Sequence, residues 1–147
     1  MVDLDATAAA IVRLFANVTR YPDIFATIKR VDIRSRTPAR SVAYVEAAFQ
    51  WPLGDRWVQL ETVVTGDRVR WRRMDGSIRR FEGSLVATDL PAGRSRVIYD
   101  AIVDPGWAAP GWLTAWLESR VEDALVADTR RYLRDHADEV AERPSAR

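Results

Sequence analysis

From about Ile28 to Val103 the apolar side chains of this 147-residue chain recur at every second position, and "WPLGDR", "TGD", "MDGS" and "LPAGR" interrupt the run. A period of two belongs to strands with one dry and one wet face, and Gly, Pro and Asp clusters between such runs are turn chemistry. A long meander therefore has a dry face to cover. The stretch long enough to cover it comes next, in "GWLTAWLESRVEDALVADTRRYLRD", where Leu113, Trp116, Leu117, Val121, Ala124, Leu125 and Tyr132 share one helical stripe. At ~1.5 Å per residue that helix would be roughly 40 Å long, enough to cross a whole sheet. Ahead of the meander, "VDL" reads as a very short strand, Thr7 as the N-cap of "AAAIVRLFAN", and "RYPDIF", with Pro22 early in it, as a second short helix. The fold class that follows is α+β: a curved antiparallel sheet against a long C-terminal helix.

Turn chemistry predicts the register. A three-residue "PAG" loop with Gly93 left-handed sets Leu85 opposite Tyr99, Gly83 opposite Ala101 and Phe81 opposite Val103. A two-residue loop at Gly66-Asp67 sets Val64 opposite Val69, Thr62 opposite Trp71 and Leu60 opposite Arg73. Segregating apolar from charged residues around Asp75-Gly76 pairs Trp71 with Phe81 and Arg72 with Arg80. A turn at "PLGD" aligns Phe49 with Val58, Ala47 with Leu60 and Val45 with Thr62. All four place Ala43, Val45, Leu60, Val69, Trp71, Leu85, Val97 and Tyr99 on one face. Glu46, Glu61, Arg68, Arg70, Arg72, Glu82, Arg96 and Asp100 fall on the other.

Composition narrows the function. The net charge is +1, and on the wet sheet face arginines alternate with carboxylates. Cross-strand ion pairing accounts for that pattern more simply than a nucleic-acid surface. There is no cysteine, and the single histidine, His136, lies in the polar tail. Thiolate chemistry is excluded, no carboxylates have metal-ligand spacing, and no metal or cofactor is expected. No apolar run approaches the ~20 residues of a membrane span, and nothing at the start resembles a signal peptide. A cytoplasmic protein, monomeric or weakly dimeric, is expected, as one domain over 1–147 whose tail frays from about residue 135.

The dry face carries small residues at Ala43, Ala47, Gly83, Ala87 and Ala101. A helix laid directly on them would fill the gap; one held off by Trp71, Phe81 and Tyr99 would leave an apolar cavity of the kind that takes small molecules. Both arrangements are open from the pattern. Arg73 and Arg79 fall on the dry face near the mouth of one hairpin. Each must reach solvent, a carboxylate such as Asp75 or Asp23, or an anionic ligand, because an unpaired buried guanidinium costs several kcal/mol. Thr62 and Tyr99 offer neutral hydrogen bonds deeper in. Trp107, Trp112 and Trp116 crowd a connection set by Pro105, Gly106, Pro110 and Gly111.

The order of these elements, with "NVTRYPDIF", "RRFEGSLVATDLPAGRSRVIYDAIVDP" and "PGWLTAWLESRV", resembles the START/Bet v1-like (SRPBCC) superfamily, and within it the bacterial polyketide cyclase/dehydrase and coenzyme Q-binding branch. The resemblance covers nearly the whole chain. It implies a helix-grip fold in which about seven strands wrap the C-terminal helix around an apolar tunnel. Relatives bind sterols, lipids, quinones, plant hormones or polyketides. Carried over by position, Tyr21 and Phe25 stand at the far wall and Trp107, Trp112 and Trp116 at the gate. Relatives open with a longer first strand than Val2 to Leu4.

The expected function is binding or transport of a hydrophobic small molecule, with Leu60, Thr62, Trp71, Arg73, Phe81, Gly83, Tyr99 and Ala101 as candidate ligand contacts alongside Tyr21, Phe25, Arg79, Trp112 and Trp116. An aromatase/cyclase needs groups that move protons and stabilise an enolate. Here it would rest on Arg73 and Tyr99, with no catalytic residue assigned. A protein-interaction role is the third reading.

Overall fold

The structure, a computed structural model, describes residues 1–48, 54–104, 106 and 111–141. Phe49, Pro105, Trp107, Pro110 and residues 142–147 lie outside the described residues, as does the side chain of Leu117.

The chain opens with β1 (Val2–Leu4) and α1 (Ala8–Ala16), and after a short 3-10 turn enters α2 (Tyr21–Ile24). Thr7 caps α1 as expected, its hydroxyl accepting from the amide of Ala10 at 3.2 Å. The next amide that the helix leaves open, that of Ala8, donates to Asp89 at 2.9 Å, which ties the helix start to the sheet. Six strands follow: β2 (Ile28–Arg36), β3 (Arg40–Ala48), β4 (Asp55–Thr65), β5 (Arg68–Gly76), β6 (Arg80–Leu90) and β7 (Arg94–Asp104). They form one antiparallel seven-stranded sheet in the order β1-β7-β6-β5-β4-β3-β2. The 25-residue α3 (Gly111–Asp135) and the short α4 (Ala137–Ala141) complete the described chain.

Two predicted registers are observed. Leu85 faces Tyr99, Gly83 faces Ala101 and Phe81 faces Val103 across β6 and β7. Val64 faces Val69, Thr62 faces Trp71 and Leu60 faces Arg73 across β4 and β5. In the "PAG" turn both Gly93 (φ 71°) and Ala92 (φ 65°) are left-handed.

Two registers differ. Trp71 pairs with Gly83 and Arg72 with Glu82, not with Phe81 and Arg80. The tip of β5 stays bonded to β4: the Ser77 amide donates to the Trp57 carbonyl at 2.9 Å, and a bulge falls between Gln59 and Leu60. Gly76 makes this possible, since at φ 141° a Cβ would sit 2.5 Å from the Trp57 carbonyl oxygen. The tip thereby leaves β6, and Ile78 turns inward, 4% exposed. Across β3 and β4, Val45 pairs with Val58 and Ala47 with Arg56, and the ladder ends at Ala48 with Asp55. Both shifts are even, so the paired strand residues keep their predicted faces and alternation alone cannot tell such registers apart, whereas at the tip Ile78 turns in and Arg79, expected on the dry face, turns out.

The long helix is not the sole cover. α1 lies against β4 to β7 and buries Ile11, Leu14 and Phe15 there, while α3 meets β7 and α2. Among the described residues α3 enters the core through Thr129, Tyr132 and Leu133 in its last third, with Leu125 packed against it. The tail expected to fray is helical to Ala141. Val140 packs against the core, His136 stacks on Tyr132 at 4.1 Å, and Glu139 meets Arg20 at 3.2 Å.

Candidate functional site

Between α3 and the sheet lies a cavity of about 600 Å³, although Glu118 accepts from the Val103 amide of β7 at 3.4 Å and the buried residues described on α3 are at its C-terminal end. That lies in the range of small-molecule sites. The sheet contributes Val45, Ala47, Val58, Leu60, Trp71 and Phe81, with Tyr99 and Val103 from β7. The helical far wall is Phe15, Tyr21 and Phe25. The roof is one helical stripe in which Trp116, Arg120 and Ala124 are spaced by four and Val121, Leu125 and Asp128 lie beside them. Trp116 lines the cavity and is 42% exposed, so it stands at the mouth, with the Arg120 guanidinium 5.2 Å from its ring centroid.

The inner wall is an aromatic network. Trp71 meets Phe15 edge-on at 5.9 Å and Tyr99 at 6.2 Å, and Tyr21 meets Phe25 edge-on at 5.5 Å. The indole N–H of Trp71 donates to the Tyr21 hydroxyl at 2.9 Å, and that hydroxyl donates to the Phe15 carbonyl. Tyr21 is therefore fully used in joining α1, α2 and β5. Burial pushes its phenol well above the ordinary range. Burial also raises Tyr99, with a smaller push from the charge of Glu122, but the Tyr99 hydroxyl has no hydrogen-bond partner among the described residues. Both phenols stay protonated at neutral pH.

Of the residues singled out in the sequence, Tyr21, Phe25, Leu60, Trp71, Phe81, Tyr99 and Trp116 line this cavity. The other six do not. Thr62 is buried on the dry face with its hydroxyl unpartnered. Gly83 lies under the Trp71 ring, where a Cβ would come within 3.3 Å of it, so this small residue makes room for an indole. Ala101 packs against the core edge. Trp112 is 71% exposed. Arg73 turns back on its own hairpin, donating to the Gly76 carbonyl at 3.1 Å with Asp75 at 3.9 Å. Arg79 lies 3.7 Å from Asp104 at the surface. The arginine-tyrosine pair considered for catalysis is not assembled.

Several lining residues were not singled out. Phe15 belongs to the apolar stripe of α1, and only the packing of α1 against the sheet places it here. Ile78 arrives through the β5 bulge. Arg120 and Asp128 share helical spacing with Trp116 and Ala124, a signal that a stripe of apolar residues does not count. Asp128 accepts from the Ala26 amide at 3.1 Å and pairs with Arg131 at 3.1 Å, fastening α3 to the loop after α2. Among the described residues no cluster of histidine, aspartate and glutamate could hold a metal ion, and no helix is long and apolar enough to cross a membrane.

The comparisons agree with this geometry. The chain is similar to a START superfamily protein from Mycobacterium smegmatis, with TM-score 0.83 and 15% identity over 91% of this chain and 94% of that one. It is similar to an aromatase/cyclase from Streptomyces, with TM-score 0.73 and 19% identity over 96% and 93%. It is also similar to a STAR-related lipid transfer protein from Xanthomonas axonopodis, with TM-score 0.73 and 17% identity over 90% and 82%. No curated protein sequence matches the chain. Identities this low speak to the fold alone, which is the helix-grip fold of the START superfamily. The family model described as polyketide cyclase/dehydrase and lipid transport matches residues 4–130. With that match running from the first strand into the last third of α3, the chain belongs to the polyketide cyclase/dehydrase and lipid transport family.

Proposed function

We propose that this protein binds a hydrophobic small molecule, such as a lipid, a quinone or a polyketide-like aromatic, between α3 and the sheet, acting in the cytoplasm as a monomer or weak homodimer. The observation that carries the reading is the cavity of about 600 Å³ with aromatic walls and Trp116 at its mouth. Leaving such a space under a helix forfeits the packing that a closed core would gain. An apolar guest restores that packing. The lipid transfer protein and the aromatase/cyclase among similar structures support a guest of this chemistry.

Catalysis by an arginine-tyrosine pair has less support, because Arg73 faces its own turn. The interaction reading is also weaker. The wet sheet face is laced by Arg40–Glu61–Arg72 and Arg80–Glu82 ion pairs, whereas interface cores are depleted of charge.

Native mass spectrometry of the purified protein, with solvent extraction of bound material, tests the proposal. The expected result is a 1:1 adduct, co-purified or formed on incubation with a panel of fatty acids, quinones and polycyclic aromatics. A protein that stays at its apo mass against the whole panel would contradict it.

A further inference from the structure

Two tyrosines stand on the cavity wall, both at least nine-tenths buried, and their hydroxyls are in opposite states. Tyr21 is 4% exposed and its oxygen is saturated, accepting from Trp71 and donating to the Phe15 carbonyl. Tyr99 is 9% exposed, its ring lines the cavity beside Trp71, and its hydroxyl has no partner among the described residues. A phenol on an apolar cavity wall with no protein partner gains a hydrogen bond from any acceptor that enters. Tyr99, on β7, lines a space large enough for a guest. Of the other polar lining groups, Arg120 lies on Trp116 at the mouth and Asp128 is held by Ala26 and Arg131.

We infer that Tyr99 is the polar anchor of the cavity, donating a hydrogen bond to a neutral oxygen, a carbonyl or hydroxyl, on an otherwise apolar and largely aromatic ligand. This inference rests on the proposed binding function and adds the class of ligand. The wall around the anchor explains the neutrality. Trp71 lies against the Tyr99 ring and Phe15 against Trp71, neither of them charged, while the lining cations Arg56 and Arg120 stand on the end of β4 and at the mouth, and the charge of Glu122 acts on Tyr99 with the sign that opposes an anion. The aromatic faces and edges around it favour a flat ring system over a flexible chain.

The test uses two probes of the same shape, fluorene and 9-fluorenone, which differ by one carbonyl. Each is titrated into the wild-type protein and into Tyr99→Phe and Tyr21→Phe. Wild type is expected to bind fluorenone about tenfold more tightly than fluorene, the scale of one hydrogen bond. Tyr99→Phe is expected to erase that preference while leaving fluorene affinity unchanged. Tyr21→Phe is expected to keep it. The melting temperature of Tyr99→Phe is expected to equal or exceed wild type, because no internal bond is lost, whereas Tyr21→Phe melts lower. Fluorene binding with no preference for the ketone, or a preference that survives Tyr99→Phe, would overturn the anchor and leave the binding proposal standing. Failure of both probes to bind wild type would overturn both.

Discussion

The hydroxyl of Tyr21 is a single atom that ties three elements together. It receives the indole N–H of Trp71 and donates to the Phe15 carbonyl, so Tyr21→Phe leaves two buried groups unpaired. The expected loss is roughly 2 kcal/mol in urea unfolding, the usual cost of orphaning buried partners. Glu61 works differently. Arg40 at 2.7 Å and Arg72 at 3.1 Å hold its carboxyl below the ordinary glutamate value. Its folded pKa is depressed, so the stabilisation is complete above the unfolded pKa and is lost as pH falls through the folded one. Glu61→Gln should cost about 1 kcal/mol at pH 7, and the gap to wild type should close below roughly pH 4. A gap that stays constant down to pH 3 would show that the pairs contribute nothing. Ala92 has φ 65°, a region that penalises a Cβ, and Ala92→Gly should raise stability by about 0.5–1 kcal/mol in the same assay.

The long helix has two parts with different duties. Its end is core, with Tyr132 and Leu133 at 5% and 6% exposure, while Trp116 at 42% overhangs the cavity. Leu133→Ala should therefore cost roughly 2–4 kcal/mol. Trp116→Ala should change unfolding by about 1 kcal/mol or less, and instead weaken binding at the mouth. Equal losses from the two would mean that α3 is clamped along its whole length.

The elements also show what the sequence made legible. Alternation placed Leu60, Trp71, Leu85 and Tyr99 on the dry face correctly, because parity survives any even slip of register. The slips themselves were not legible. That at Trp71 depends on Gly76 and Ser77 bonding back to Trp57, a long-range choice that turn residues do not encode. For the same reason the sequence left Arg73 open between an anionic ligand and its neighbour Asp75, and it closes its own hairpin. Ile78 and Arg120 entered the cavity wall unannounced, since one depends on that bulge and the other on how far α3 stands from the sheet.

At the scale of the whole molecule, two helical layers share one curved sheet unevenly. α1 and α2 fill their part of the dry face with Ile11, Phe15 and Ile24, and the end of α3 closes beside them. The remaining dry face, from Val45 to Phe81, is roofed without being filled. The small residues, which the sequence left open between close packing and a cavity, divide accordingly: Gly83 receives Trp71, Ala43 and Ala87 are sealed in the core, and Ala47 faces the cavity. The most direct test of this account is titration with N-phenyl-1-naphthylamine, a neutral apolar fluorophore that brightens out of water, into wild type and into the cavity-filling variants Ala47→Phe and Ala124→Trp, each first shown by circular dichroism to be folded. The account predicts one saturable site in wild type and at least tenfold weaker binding in both folded variants. Unchanged affinity in both, or no saturable binding to wild type, would contradict it.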